Sequence, residues 1–118
     1  MPFKFGKLIV WQKALDLTLM VHETTVKFPR EEMYVLTSQI KRAADSVALN
    51  IAEGSTGQSN PEFNRLLGMS LRSNIEVVGC IFIARKRKII AEADFTSIYK
   101  QCEEILLMIN ALRKTLQK

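Results

Sequence analysis

The chain has 118 residues, of which 47% are apolar and 25% are charged, a composition that is typical of globular proteins and excludes intrinsic disorder. Its 17 Lys and Arg residues outnumber the 12 Asp and Glu residues, which gives a net charge of +5. That charge is ordinary for solubility and favours a polyanionic partner only modestly. We expect one domain, 1–118.

The two cysteines, Cys80 and Cys102, do not form a CxxC motif and lie among apolar neighbours. No secretory hydrophobic segment follows Met1, and no uncharged run approaches the roughly 20 residues of a membrane span. The sequence therefore predicts a soluble cytoplasmic protein with buried thiols and no membrane partner.

Proline and glycine residues divide the chain into long periodic segments. Pro29 interrupts the first segment, residues 54–61 form a loop, and a weaker break lies at 88–91. The segments between these breaks predict helices over 8–27, 31–53, 61–88 and 92–116. Four helices with short connections indicate an all-α fold, an antiparallel up-down-up-down four-helix bundle.

Apolar residues recur at spacings of three and four in each segment, which predicts the core face of each helix. The predicted core positions are Leu8, Trp11, Leu15, Leu19, His22 and Val26 in the first helix, Leu36, Ile40, Ala43, Val47 and Ile51 in the second, Phe63, Leu66, Ser70, Ser73, Val77, Ile81 and Ala84 in the third, and Phe95, Ile98, Cys102, Ile105, Ile109, Leu112 and Leu116 in the fourth.

Turn residues indicate how the second and third helices end and begin. We expect Gly54 to be the left-handed residue just past the second helix, and Asn60 to cap the third helix ahead of Pro61. Glu31 and Glu32 suit the positive N-terminal end of the second helix.

Two helices carry more apolar surface than one core face needs. These additional residues are Ile9, Leu17 and Met20 in the first helix and Leu106, Leu107 and Met108 in the fourth. Because extra apolar surface marks an interface, the sequence predicts a homo-oligomer.

A polar stripe runs beside the apolar face of the second helix. Its members are Gln39, Arg42, Ser46, Asn50 and Glu53, and an antiparallel third helix brings Ser73 and Glu76 opposite them. An ion pair between Arg42 and Glu76 is expected from this register. Two interpretations stay open: a solvated face with incidental ion pairs, or a buried polar network or subunit interface.

Catalytic patterns are few in this sequence. His22 is the only histidine and lies on the predicted apolar stripe, so any Ser–His–Asp or Cys–His set would have to include it there. A Glu-x-x-His metal site fails because Leu19 occupies the position three residues before His22. The glycines form no phosphate-binding motif. We therefore expect no enzyme activity, no metal and no cofactor.

Basic residues are concentrated at the end of the third helix, in the run Arg85, Lys86, Arg87 and Lys88. One interpretation is that these cations complement the helix macrodipole. The other is that they bind nucleic-acid phosphates together with Lys27 and Arg30 at the same end of the bundle, with Lys41, Arg42 and Arg72 as further candidates. A second basic group, Lys4, Lys7, Arg113, Lys114 and Lys118, lies at the opposite end. No base-stacking platform is visible.

Several motifs resemble one family of bacterial proteins. They are Trp11-x-Lys13-Ala14, Phe28-Pro29-x-x-Glu32, the run LTSQIKRAADS over 36–46, Asn50-Ile51-Ala52-Glu53-Gly54, Phe63, and Ser73-x-x-Glu76. Together these motifs resemble the four-helix-bundle proteins encoded in 23S ribosomal RNA intervening sequences, over about residues 8–112. The chain departs from the family where Ala48 replaces a common proline and Arg72 replaces a small residue.

Members of that family are similar in fold to the accessory variability proteins of diversity-generating retroelements, which are basic pentamers that partner a reverse transcriptase and its RNA. The resemblance implies a homopentamer and contact with RNA or DNA. Two functions remain: a non-catalytic oligomeric adaptor that binds nucleic acid, or a protein-interaction scaffold with no nucleic-acid role.

Overall fold

The computed structural model describes residues 3–57 and 59–117, which form four α-helices joined by short turns. The helices are α1 (Ile9–Thr25), α2 (Leu36–Ser55), α3 (Asn60–Lys86) and α4 (Glu92–Leu116). Short 3-10 turns, Lys4–Lys7 and Arg30–Glu32, precede α1 and α2. These residues contain no β-strand, so the all-α prediction is confirmed. The bundle measures 45 × 23 × 20 Å.

Contacts between the helices show that neighbours run antiparallel. Ser70 of α3 donates to the carbonyl of Val47, and further along α3 Glu76 accepts from Gln39, which lies earlier in α2. In the same way Arg113 of α4 bonds Asn64 early in α3, and Cys102 bonds Asn74 later in α3. Lys13 pairs with Glu104 and Lys27 with Asp94, so α1 runs antiparallel to α4, and the up-down-up-down arrangement follows.

One cluster of buried apolar side chains fills the space between the four helices. The predicted face of α2 is confirmed, since Leu36, Ile40, Ala43, Val47 and Ile51 are buried. In α4 the predicted residues Phe95, Ile98, Cys102, Ile105 and Ile109 are buried, whereas Leu112 and Leu116 are only half-buried at the edge of the core. In α3 the buried residues are Leu67, Ser70, Asn74, Val77, Cys80, Ile81 and Ala84. Phe63, Leu66 and Ser73 are only half-buried, since the inward face is rotated toward Leu67 and Asn74.

The predicted core face of α1 was wrong. The buried residues are Val10, Ala14, Leu17, Val21, Thr24 and Thr25. Leu15, Leu19, His22 and Val26, which we expected inside, are exposed, and Trp11 is half-buried. Both sets recur at spacings of three and four, about 140° apart around the helix at 100° per residue. Periodicity alone could not choose between them.

The prediction that α2 begins near residue 31 was also wrong. Pro29 is extended, and Glu31 and Glu32 belong to a 3-10 turn whose amides bond Pro29 and its neighbours. Val35 leaves the helical region at φ −121° and ψ −98°, and α2 begins one residue later. The apolar residues Met33, Tyr34 and Val35 are all exposed, so periodic burial starts only at Leu36.

Gly54 does not end α2 in the left-handed conformation, and no described glycine has a positive φ. The helix continues through Ser55. Gly54 instead allows α3 to pack closely, because a Cβ there would lie 2.8 Å from Cδ1 of Phe63 and 3.1 Å from Cβ of Leu66. The cap of α3 is Ser59, whose hydroxyl accepts from the amide of Glu62, and not Asn60, which is already helical. The intervening Gln58 lies outside the described residues.

The third break between helices lies where the sequence predicts it, after the apolar periodicity of α3 ends, and the turn is formed at Lys88. Lys88 adopts φ 62°, and the amide of Ile89 bonds the carbonyl of Ala84 while the amide of Lys88 bonds that of Arg85. This pair of bonds is a Schellman motif with lysine at the position that glycine usually occupies. It turns the chain from α3 into α4 in a few residues.

The helix α3 is long enough, and over part of its length apolar enough, to cross a bilayer. Within the described residues it is the one helix that meets both criteria, and core helices of folded bundles meet them too. Only 39% of the qualifying window is buried inside the bundle. Much of the apolar surface of α3 therefore faces outward.

Replacing a fully buried core isoleucine by alanine tests the packing. Ile40→Ala and Ile105→Ala should each lower the free energy of unfolding by about 2–5 kcal/mol, because each side chain is fully buried and its truncation leaves a cavity in the core. Urea unfolding monitored by circular dichroism measures the loss. Leu107→Ala, at an exposed position of α4, is the control and should change stability by less than about 0.5 kcal/mol.

A matched pair of glycine substitutions tests the close approach of α2 and α3. Gly79→Ala should stabilise the protein by about 0.5–1 kcal/mol, because nothing lies within 4 Å of the new Cβ and alanine favours the helix. Gly54→Ala should destabilise it by about 1–3 kcal/mol, since the methyl group meets Phe63 and Leu66. Thermal denaturation of the two variants should shift in opposite directions, and a shared direction would contradict the contact.

Candidate nucleic-acid interface

The basic run that ends α3 meets acidic residues from the turns at the same end of the bundle. Arg87 donates to both carboxylate oxygens of Glu32, at 3.1 and 3.2 Å, and so ties α3 to the turn before α2. Lys27, at the end of α1, pairs with Asp94 of α4 at 2.9 Å. The expected gathering of these cations at one end is present, but two of them are partly neutralised.

Arg85 lies against aromatic rings. Its guanidinium carbon is 4.0 Å from the ring centre of Phe95 and 5.0 Å from that of Phe82. These distances are those of a cation–π contact, in which the charge lies over the negative face of the ring. Arg85 takes part in none of the ion pairs formed among the described residues, so its charge is not neutralised by a carboxylate there.

Lys86 and Lys88 are exposed, and the four ion pairs formed among residues 3–57 and 59–117 involve neither of them. Both extend from the last turn of α3 and the Schellman residue, beside Arg85. Phosphate oxygens need donors that are not already paired, so these two lysines are the strongest phosphate-binding candidates of the run.

The three other candidate basic residues lie at different distances from the basic end of α3. Arg72 is separated from Lys86 by 14 residues of α3, about 21 Å at 1.5 Å per residue. Lys41 is half-buried and lines two neighbouring grooves with His22, and Arg42 lies on the α2–α3 side. Lys41 therefore shares one groove with Arg30 at the basic end, whereas Arg42 and Arg72 do not join that patch.

The opposite basic group is also divided. Arg113 packs over Gly68, and its Nε donates to Oδ1 of Asn64 at 2.9 Å, so it holds α4 to α3. Lys4, Lys7 and Lys114 are exposed, and Lys118 lies outside the described residues.

The polar stripe of α2 forms a hydrogen-bonded seam with α3. Asn50 donates to the hydroxyl and the carbonyl of Ser46, at 3.0 and 2.9 Å, and Ser73 donates to the Ser46 hydroxyl at 3.0 Å. These three residues are half-buried. Gln39 reaches Glu76 at 3.4 Å on the exposed side of the same seam.

The predicted ion pair between Arg42 and Glu76 was wrong. Arg42 donates to the hydroxyl of Ser38 at 3.4 Å, one turn earlier on its own helix. The side chain that donates to the Glu76 carboxylate is that of Gln39. Glu53 lies further along, in a groove with Thr56 and Glu62 at the α2–α3 turn. There Arg65 binds Glu62 through two hydrogen bonds, which lower the pKa of the carboxyl and raise that of the guanidinium.

Two polar side chains are fully buried between the helices. Ser70 donates to the carbonyl of Val47 at 2.8 Å, which joins α3 to α2, and Asn74 donates to the carbonyl of Cys102 at 2.8 Å, which joins α3 to α4. The Oδ1 atom of Asn74 has no hydrogen-bond partner among the described residues. Neither residue faces an opening, so both act in packing.

The buried thiols are held in the protonated form. Burial, with a smaller contribution from the charge of Glu76, raises the pKa of Cys80 to about 11, and burial alone raises the pKa of Cys102 to about 12. A neutral thiol is a poor nucleophile and metal ligand. The described residues contain no group of three or more His, Cys, Asp or Glu side chains that could hold a metal ion.

The sequence interpretation missed an aromatic cluster beside the basic end. The ring centre of Phe82 lies 5.1 Å from that of Phe95 and 6.2 Å from that of Tyr99, and Phe95 and Tyr99 stack at 6.1 Å. Phe95 is buried, whereas Phe82 and Tyr99 are 45% and 38% exposed. In an antiparallel pair, the register that places Asn74 opposite Cys102 also places Phe82 opposite Phe95. A register for α3 and α4 was the signal that could have identified this cluster.

The fold and these surfaces define a basic antiparallel four-helix bundle with outward apolar faces. The chain belongs to the family described as 23S rRNA-intervening sequence protein, whose family model matches residues 6–111. A crystal structure similar to this chain is that of a protein of unknown function from the S23 ribosomal protein family of Bacteroides thetaiotaomicron. Its TM-score is 0.81 and its identity 22%, over 90% of this chain and 99% of that one. No curated protein matches the chain.

The raised thiol pKa values predict a loss of stability at alkaline pH. The folded protein keeps protons that the unfolded chain releases near pH 8.5, so the free energy of unfolding should be unaffected by the thiols below about pH 8 and fall as the pH rises toward 11. Each thiol contributes a slope of up to about 1.4 kcal/mol per pH unit.

Urea unfolding at pH 7 to 10.5 measures this loss. A Cys80→Ala, Cys102→Ala double variant corrects for the lysines and tyrosines that titrate in the same range. It should show a shallower decline than the native protein, and equal slopes would contradict the assignment.

Proposed function

We propose that this chain is a non-catalytic helical bundle that assembles with copies of itself and binds nucleic acid through the basic end of α3. The observation that carries the assembly is the exposed apolar stripe of α1, formed by Leu15, Leu19 and Val26 with the half-buried Trp11. An apolar stripe of this length on the outside of a single chain is typical of a subunit interface.

Neighbouring residues extend this stripe across the α1–α2 face. Leu19 and His22 line a groove with Lys41 and Asp45 of α2, and Leu49, one turn beyond Asp45, is also exposed. The additional surface that we expected from Ile9, Leu17 and Met20 is differently placed: Ile9 is exposed, Met20 is half-buried and Leu17 is fully buried. The stripe itself, which we had assigned to the core, supplies the outward surface instead.

The non-catalytic role is supported by the state of the reactive side chains. Both thiols are buried and protonated near neutral pH, and the single histidine, His22, lies on the outer surface of α1. Neither the family description nor that of the structural neighbour names a reaction.

The nucleic-acid role is favoured by Lys86 and Lys88. Their charges lie at one end of the bundle beside Arg85, outside the ion pairs that hold Lys27 and Arg87. A ring of identical subunits would bring several copies of this group to one side, so that one strand could contact several phosphates at once. The resemblance noted above sets five as the expected copy number. A scaffold without a nucleic-acid role remains the alternative.

Assembly is tested by a charge placed in the α1 stripe. Leu19 is 56% exposed, so Leu19→Glu should leave the fold of one chain intact while desolvation of the carboxylate opposes the interface. Light scattering at micromolar concentration should give about five times the 13.4 kDa chain mass for the native protein and one chain mass for the variant.

Ser97→Glu on α4 provides the control with the same new charge at an exposed polar position, and it should assemble as the native protein does. Circular dichroism verifies that both variants are helical. A native protein that stays at 13.4 kDa would refute self-assembly.

Phosphate binding is tested by its salt dependence. Gel shifts of RNA and DNA across a salt series measure the affinity. A plot of log affinity against log salt concentration should have a slope of about −0.9 for each phosphate contacted in duplex DNA and about −0.7 for each in a single strand. Lys86→Gln with Lys88→Gln should reduce both affinity and slope. The control removes the same charge at the other end, through Lys7→Gln with Lys114→Gln, and should change neither as much.

Equal losses in the two double variants would assign binding to net charge rather than to the end of α3. If the native protein shifts no nucleic acid at low salt, the scaffold function is the correct one.

A further inference from the structure

The exposed rings of Phe82 and Tyr99 form an aromatic surface that belongs to no face described so far as an interface. It lies on the α3–α4 side of the bundle, whereas the apolar stripe proposed for assembly lies on α1 and α2. Phe82 and Tyr99 meet at 79°, and the buried ring of Phe95 supports both from below. The exposed rings are therefore held in fixed orientations by a ring that belongs to the core.

Charged residues of both signs lie around this surface, and the consecutive cations lie at the end of α3. The Arg85 guanidinium, over Phe95 and Phe82, is the nearest cation, and Lys86 is one turn beyond Phe82 on the same helix. On α4, Lys100 directly follows Tyr99, and the acidic residue Glu103 lies one turn beyond Tyr99, about 6 Å along the helix at 1.5 Å per residue. A ligand on the rings thus meets donors for an anion at the end of the bundle where the unpaired lysines lie.

We infer that Phe82 and Tyr99 stack unpaired bases of a single-stranded nucleic acid, one on each ring because the ring planes lie 79° apart, while Arg85 and Lys86 bind the adjoining phosphates. Aromatic rings next to a cationic track are the combination that single-strand-binding proteins use. Bases in a duplex are stacked on one another, and their faces are not available to the rings. This inference rests on the proposed nucleic-acid binding and adds to it a preference for single strands over duplexes.

The surface should tolerate different base sequences. Every base has a π face, and the ring carbons of Phe82 and Tyr99 offer no hydrogen-bonding pattern that distinguishes one base from another. Phosphate contacts likewise carry no sequence information. The expected ligand is a single strand of any sequence, recognised by its stacking bases and its charge.

The test compares two oligonucleotides that differ only in their bases. A labelled twelve-residue thymidine strand and an abasic strand of the same length carry the same phosphates, and fluorescence anisotropy at fixed salt measures binding of each to the native protein. Each stacked base should make the thymidine strand bind about 5- to 150-fold more tightly than the abasic strand.

Variants then assign the preference to the rings. Phe82→Leu and Tyr99→Leu should each reduce it severalfold while leaving the salt slope unchanged, and Phe82→Tyr, which keeps a ring, should retain it. Leu107→Ala removes an exposed apolar side chain elsewhere on α4 and should have no effect. Circular dichroism verifies that each variant folds, and the Tyr99 variant serves if the Phe82 variant does not.

The outcomes separate this inference from the function on which it rests. Equal binding of the thymidine and abasic strands by the native protein would overturn the stacking surface and leave phosphate binding standing. Binding of neither strand would overturn both. A change in the light-scattering mass of Phe82→Leu with no change in the strand preference would show that the rings contact another protein chain, and would also overturn the inference.

Discussion

The close approach of α2 and α3 is the constraint on which the rest of the bundle depends. Small residues make it possible: Ala43, Ala44 and Ala48 on α2 are buried, and Gly54 leaves room for the ring of Phe63. At this distance the hydroxyl of Ser70 reaches a main-chain carbonyl on α2, and Ser73 reaches Ser46. These bonds set how far α3 is rotated, and thereby which of its residues face α4 and which face outward. The aromatic surface at Phe82 and the position of the basic end both follow from that rotation.

Most of the fold could be predicted from the sequence because two of the four helices, α2 and α4, have one dominant apolar face. In α2 and α4 the residues at spacings of three and four became the core, and Pro29, the 54–61 loop and the slip near residue 88 marked the turns. The ends of the helices were less accurate. Val35 has no side chain that can cap α2, and Gly54 is used for contact with Phe63 rather than for a turn. Such choices depend on tertiary contacts that no local pattern encodes.

The α1 helix shows why the sequence could not identify the outer surfaces. It has two apolar stripes, and the one that contains Ala14 and Leu17 faces the core. The stripe that contains Leu15 and Leu19 remains outside, although leucine occurs in both. The sequence also did not give the rotation of side chains around α2. It suggested an ion pair between Arg42 and Glu76, whereas in the structure Gln39 contacts Glu76, although the axial register was right. The aromatic cluster was missed because its members come from two helices.

The turn after α3 shows what the basic end costs the fold. At the position where Lys88 adopts φ 62°, glycine would be free of the steric strain that a Cβ introduces, about 1 kcal/mol. Lys88 supplies a fourth consecutive cation at the cost of that strain. The Schellman hydrogen bonds hold its main chain in one conformation, and its side chain is exposed. The final charge of the run therefore projects from a rigid corner rather than from a fraying helix end. The backbone fixes where this lysine leaves the bundle relative to Arg85 and the aromatic rings, and only its flexible side chain has to adjust to an anion that binds there.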